Sequence, residues 1–171
     1  MNAQRIRIAL IVLVSAQLLV IGGVTASYYA ASVYGKEVRI ATIPIDPRDI
    51  FYGDYVVLRY ALSTFPLKDW HGAAPPKKGM AVYAWLREKD GLFEATRFSD
   101  VPPPDGTPAL RGRIVQHQAW NDQVDVVYGI ERFYVPEGTG ADIEAYAGRA
   151  IASVRIAPWG QSYLESVAPR L

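Results

Sequence analysis

The segment "PIDPRDIFYGDYVVLRY", Pro44 to Tyr60, gathers acidic, basic and phenolic side chains between turn formers. Asp46, Arg48, Asp49 and Asp54 are the residues in it that could do chemistry. Together with Glu131 or Glu137 they could form a paired-carboxylate acid–base site, or an oxygen-rich cradle for a small ligand or cation. Arg48 among the aspartates disfavours the cation. The same residues have a structural use. Asp46-Pro47 favours a turn, with Ile45 before it extended. Gly53 permits positive φ, and Asp54 can cap the turn through nearby backbone amides. Arg48 and Arg59 are available to pair Asp46, Asp49 or Asp54. Turn capping is the preferred role.

A second charged group, Glu131, Arg132, Glu137 and Glu144, lies downstream. Glu131 and Arg132 are adjacent, so on a strand they point to opposite faces. A surface network fastening the Pro136–Gly140 loop is favoured over a catalytic carboxylate pair. Only two histidines occur, His71 and His117, and cysteine is absent. Thiol catalysis and disulfides are therefore excluded, and a zinc site lacks ligands. No phosphate loop, dinucleotide fingerprint or nucleophile elbow is present. No cofactor or metal is expected.

Those residues sit on strands. In "YVVLRYAL", Val56, Leu58, Tyr60 and Leu62 share one face by period two, with Leu58 and Tyr60 directed to the core. Tyr55, Val57 and Arg59 take the other face, unless Tyr55 still belongs to the turn. "KEVRIATI" places Val38, Ile40 and Thr42 together. "MAVYAWLRE" and "LFEATRF" flank Asp90-Gly91, a hairpin signal. "ALRGRIVQ" and "QVDVVYGIERF" meet around Asn121-Asp122, and "AIASVRIA" and "QSYLESV" flank Pro158-Trp159-Gly160. "STFPLKDW" reads as a short helical turn or loop, and "GADIEAYAG" as a short helix. The expected fold is mostly β: an antiparallel sandwich or barrel of seven or eight short strands, with one or two short helices. Most of Trp70, Trp85, Trp120 and Trp159 should serve core or cross-strand packing, while Tyr134 and Trp159 are candidates for a binding surface.

No charge occurs between Arg7 and Lys36. A helix over Ile8–Ala31 would rise about 36 Å at about 1.5 Å per residue, against a hydrocarbon core of about 30 Å. Arg5 and Arg7 favour a cytoplasmic N-terminus, and Tyr28 and Tyr29 suit the far interface. The expected organisation is a cytoplasmic segment 1–7, a transmembrane anchor 8–31 and an extracytoplasmic β-rich domain 36–171. A signal peptide cleaved near Val24-Thr25-Ala26 is the alternative, disfavoured because its apolar region is usually shorter. Removing Arg5 and Arg7 from the 18 Lys+Arg leaves 16 in the domain, against 17 Asp+Glu. Such balance argues against nucleic acid as a partner.

"GDYVVLRY", Gly53 to Tyr60, matches at every position the motif that names the GDYXXLXY family of bacterial proteins. "PIDPRDIFYGDY" resembles the family's approach to it, and "YGIERFYVPEGTGADIE", Tyr128 to Glu144, its second common block. The resemblance implies a single-pass inner-membrane protein with a periplasmic or extracellular domain, working beside a multi-pass membrane protein. It implies Asp46, Pro47, Arg48, Asp49, Gly53, Asp54, Tyr55, Leu58, Tyr60, Glu131, Arg132, Glu137 and Glu144 as motif or interaction residues. It implies no reaction. The loop, Gly-Asp and strand are also similar to the segment after the nucleophile in type I signal peptidases. There Asp46-Pro47 stands in place of the serine and Arg97 in place of the lysine base. Arginine stays protonated, so that likeness implies a peptidase fold without its chemistry. The expected function is a non-enzymatic accessory or interaction protein; the alternative is an enzyme or ligand binder using 46–54 with Glu131 or Glu137.

Overall fold

The computed structural model describes residues 3–44, 55–118, 120–135, 143 and 146–170. One helix, α1 (Ala3–Tyr34), precedes eleven described strands. They are β1 (Lys36–Ile43), β2 (Tyr55–Val57), β3 (Arg59–Tyr60), β4 (Thr64–Pro66), β5 (Ala81–Lys89), β6 (Leu92–Ser99), β7 (Ala109–Gln118), β8 (Gln123–Val127), β9 (Arg132–Tyr134), β10 (Ala150–Ile156) and β11 (Ser162–Pro169).

Among the described residues these strands pair only antiparallel, and a single isolated bridge, Trp70 to Phe98, runs parallel. One sheet has the order β11-β10-β1-β3, a second β4-β8-β7-β5-β6, and a two-stranded ribbon joins β2 to β9. They form a half-barrel around one apolar core. Val38, Ile40 and Val154 come to it from the first sheet, and Val82, Leu86, Ile114 and Val126 from the second. The Phe65 and Phe98 rings stack inside it at 3.9 Å.

The mostly β, antiparallel architecture is as the alternation requires. All three expected hairpins are present. Asp90 and Gly91 both take positive φ (52° and 76°), the conformation a two-residue turn of matching twist demands. Asp122 (52°) does the same between β7 and β8, and residues 157–161 close β10 onto β11.

Two runs that read as single strands are divided. "YVVLRYAL" breaks at Leu58: β2 pairs with β9, whereas β3 pairs with β1. Its last two residues, Ala61 and Leu62, belong to a 3-10 turn, Ala61–Ser63. "QVDVVYGIERF" breaks at Tyr128–Glu131, where Gly129 has φ +81°. "STFPLKDW" contains the short strand β4 followed by a 3-10 turn at Leu67–Asp69. Two divided strands and β4 account for the higher strand number. Residues 143, 146 and 147 are helical within "GADIEAYAG"; the other residues of its Gly140–Tyr146 part lie outside the described residues.

The helix is long and apolar enough to cross a membrane over Gln4–Tyr34, and its apolar window is not buried by the β domain. It extends past the 8–31 stretch at both ends and stops one residue short of β1.

Candidate functional site

The two sequence blocks meet. Tyr55, Val56 and Val57 face Tyr134, Phe133 and Arg132 in antiparallel register. The pairing continues past β2, where the Leu58 amide donates to the Glu131 carbonyl at 2.7 Å. Period two then assigns the faces. Val56 and Leu58 are buried, and Phe133 packs against the core beside them. Tyr55, Arg132 and Tyr134 take the outer side.

Two tyrosines lock the blocks together from inside. Tyr60, fully buried, donates its hydroxyl to the Ile130 carbonyl at 2.5 Å. Tyr128 returns the connection, donating to the Leu62 carbonyl at 2.8 Å. Both carbonyls lie outside the strands, Leu62 in the 3-10 turn after β3 and Ile130 in the turn between β8 and β9, so no ladder partner satisfies them. A buried carbonyl without a donor is costly, and each phenol removes that cost. Tyr128 needs room for its ring. Gly112 in β7 supplies it: a Cβ there would lie 2.7 Å from Tyr128 Cδ1 and 2.6 Å from Val126 Cγ1.

Glu131 closes the turn between β8 and β9. Its carboxylate accepts the Tyr128 amide at 2.5 Å on Oε1 and the Gly129 amide at 2.8 Å on Oε2. Both oxygens are thus engaged by the backbone. Burial first, and then the Glu131 charge, push the ionisation of Tyr60 and Tyr128 well above the ordinary tyrosine value. Both phenols stay protonated donors at neutral pH.

The outer face carries a small aromatic–cation arrangement. The Arg132 guanidinium stands 5.2 Å from the centre of the Tyr55 ring, and Tyr55 and Tyr134 are tilted rings 5.8 Å apart. Tyr134 is 70% exposed. Glu131 and Arg132 therefore point apart, as their adjacency requires, and no ion pair joins them among the described residues. Arg59 turns to the large sheet. It donates to Thr64 Oγ1 at 3.0 Å and lies 4.0 Å from Asp125, which accepts from Thr64 and Gln118.

Asp46, Pro47, Arg48, Asp49, Gly53, Asp54, Glu137 and Glu144 lie outside the described residues. Of the described motif residues, the structure brings Tyr55, Leu58, Tyr60, Glu131 and Arg132 into one unit. Arg97, at the lysine position of the peptidase likeness, lies over the Trp85 ring at 4.7 Å. Among the described residues no three His, Asp or Glu side chains form a group that could hold a metal. Tyr128 and Gly112 are functional parts of the joint that sequence reasoning left unassigned. The signal available was Gly129, a turn former inside an apparent strand.

A helix of membrane-spanning length heading a β half-barrel, with a tyrosine-locked joint between two distant sequence blocks, defines the architectural class. The chain belongs to the GDYXXLXY protein family, whose model matches residues 17–167, from within α1 to β11. No curated protein and no solved structure gives a significant match.

Proposed function

We propose that the protein is a single-pass bacterial inner-membrane protein and a non-enzymatic accessory subunit of a multi-pass membrane protein. Its N-terminus lies in the cytoplasm, and α1 is retained as an anchor. The β half-barrel lies on the periplasmic or extracellular side and offers the joint between β2 and β9 to the partner. The observation carrying this reading is the use made of the motif side chains. Leu58 and Tyr60 are buried, Tyr60 is hydrogen bonded to the Ile130 backbone, and the Glu131 carboxylate is engaged by two amides. The outward remainder is Tyr55, Arg132 and Tyr134, residue types that anchor protein interfaces.

The test is purification of the full-length chain from its native membrane in mild detergent, followed by mass spectrometry. Tyr134→Ala and Arg132→Ala variants are run in parallel. One stoichiometric multi-pass partner with the native chain, lost with either folded variant, is expected. A native chain that emerges alone, or a partner retained by both variants, overturns the assignment of this face.

A further inference from the structure

The junction between α1 and the β domain is built without slack. Tyr34 ends the helix, Gly35 follows, and Lys36 opens β1 opposite Ile156 of β10. The Gly35 amide donates to the Ala31 carbonyl at 2.9 Å, so helical hydrogen bonding runs to the last residue before the sheet. Ala31 is fully buried against the domain. A Cβ at residue 35 would stand 2.2 Å from the Ala31 carbonyl oxygen, so only glycine fits this close approach. The helix end is therefore set directly against the start of the sheet.

That relation places a particular surface beside the helix end. Tyr34, Lys36, Pro102, Pro103, Pro158 and Trp159 are among the residues lining one groove of about 380 Å³. The apolar character continues onto Val101, 55% exposed, and Trp159 is 51% exposed. Asp105 in the same loop is held by its own turn, accepting the Thr107 amide at 3.1 Å.

The depth of this surface follows from helix geometry. Ile8–Ala31 covers about 36 Å of rise, more than the hydrocarbon thickness of about 30 Å. Tyr34 lies three residues, roughly 4–5 Å, beyond Ala31. The headgroup layer extends roughly 5–7 Å on each side of the hydrocarbon, and with the stretch centred and tilted by the usual roughly 20°, Tyr34 stands about 6 Å beyond the hydrocarbon, within that layer. A groove that Tyr34 itself helps to line shares that level. Tryptophan and tyrosine are the side chains this layer favours, because each has an apolar body and a polar edge.

We infer that the turn holding Pro158 and Trp159, with the Val101–Pro103 loop, rests in the lipid headgroup layer and seats the β domain on the bilayer. This extends the membrane-anchor reading above and rests on it. The occupant of the surface is lipid, because the patch is continuous with the membrane-length helix, whose last residue, Tyr34, lines the same groove. A domain so seated presents its remaining faces at a fixed height above the membrane, which suits a partner embedded beside it.

The chain has no cysteine, so single cysteines can be placed without altering any native one. Leu19→Cys, Val101→Cys and Trp159→Cys are spin-labelled in the full-length protein. Each is reconstituted in vesicles of phosphatidylcholine and phosphatidylglycerol. Collision with oxygen, which partitions into lipid, is compared with collision with a water-soluble nickel chelate. At Leu19, oxygen is expected to dominate. At 101 and 159, collision with the chelate is expected to be several-fold lower than for an aqueous label, with oxygen still reaching both. Labels at 101 and 159 as open to the chelate as an aqueous label, with Leu19 shielded, overturn the seating while leaving the anchor intact. Shielding of 101 and 159 from both reagents marks a protein contact and also overturns it. A Leu19 label open to the chelate removes the anchor reading and this inference together.

Discussion

The Tyr60 hydroxyl donates a 2.5 Å hydrogen bond to the carbonyl of Ile130, seventy positions further along the chain. One donor and one acceptor thereby join the last residue of the GDYXXLXY motif to the turn that opens the second block. Tyr60→Phe keeps the ring and leaves the Ile130 carbonyl buried without a donor. The expected cost is about 1–3 kcal/mol of stability. Urea unfolding of the full-length chain in detergent measures it. An unchanged midpoint would show that the bond contributes nothing.

The same burial makes a prediction in alkaline solution. Tyr60 and Tyr128 have their ionisation raised above the ordinary value, chiefly by burial and further by the Glu131 charge. Below about pH 10 both are protonated in folded and unfolded chains alike, and their contribution to stability is fully present. Above about pH 10 the unfolded chain ionises while the folded chain does not, so stability falls as pH rises. Absorbance at 295 nm should show the exposed tyrosines titrating first. A late step, coincident with loss of near-ultraviolet circular dichroism, should belong to Tyr60 and Tyr128. Early ionisation of both in the folded protein would contradict their burial.

Glu131 tests structural use against catalytic use directly. Glu131→Gln keeps the shape but replaces a charge-assisted acceptor pair with one neutral acceptor and an amide that cannot accept. A loss of about 1–2 kcal/mol is expected, and a larger one for Glu131→Ala. Both variants should also bring the Tyr60 and Tyr128 ionisation down towards the ordinary value, because the neighbouring negative charge is gone. A catalytic carboxylate without a structural part would instead leave thermal unfolding unchanged.

The sequence displayed what is periodic and hid what is pairwise. Val38, Ile40, Leu58 and Tyr60 are buried as their parity requires, and Asp90-Gly91 closes a hairpin because two-residue turns demand positive φ there. The break at Leu58 was not legible. Its neighbours alternate without interruption, and only the competition between β9 and β1 for one run divides it. Tyr128 stood in an apparently continuous strand, and nothing local announces that its hydroxyl meets Leu62 across the core. Glu131 read as a surface charge, since a carboxylate that caps a turn looks in sequence like any other. The outward direction of Arg132 followed from adjacency, whereas its position over Tyr55 depended on strand register.

Gly112 and Tyr128 form the last testable pair. The glycine sits in mid-strand, paired with Val82 of β5, where any side chain would ordinarily add stability. Here the Tyr128 ring and the Val126 methyl occupy the space that a Cβ would fill. Gly112→Ala is therefore expected to destabilise by about 1–3 kcal/mol through overpacking, against the usual small gain from replacing glycine. Tyr128→Ala removes the whole ring, including the Cδ1 that the added methyl would strike, and the hydroxyl bond, and should itself destabilise. In the double variant the added methyl meets a smaller neighbour, so the two costs should sum to more than is measured. A double-mutant cycle by urea unfolding reads that coupling, expected at about 1 kcal/mol or more for side chains in direct contact. Strict additivity would mean that the ring does not rest on Gly112, and the second block would then lack the packing that holds its turn beneath the first.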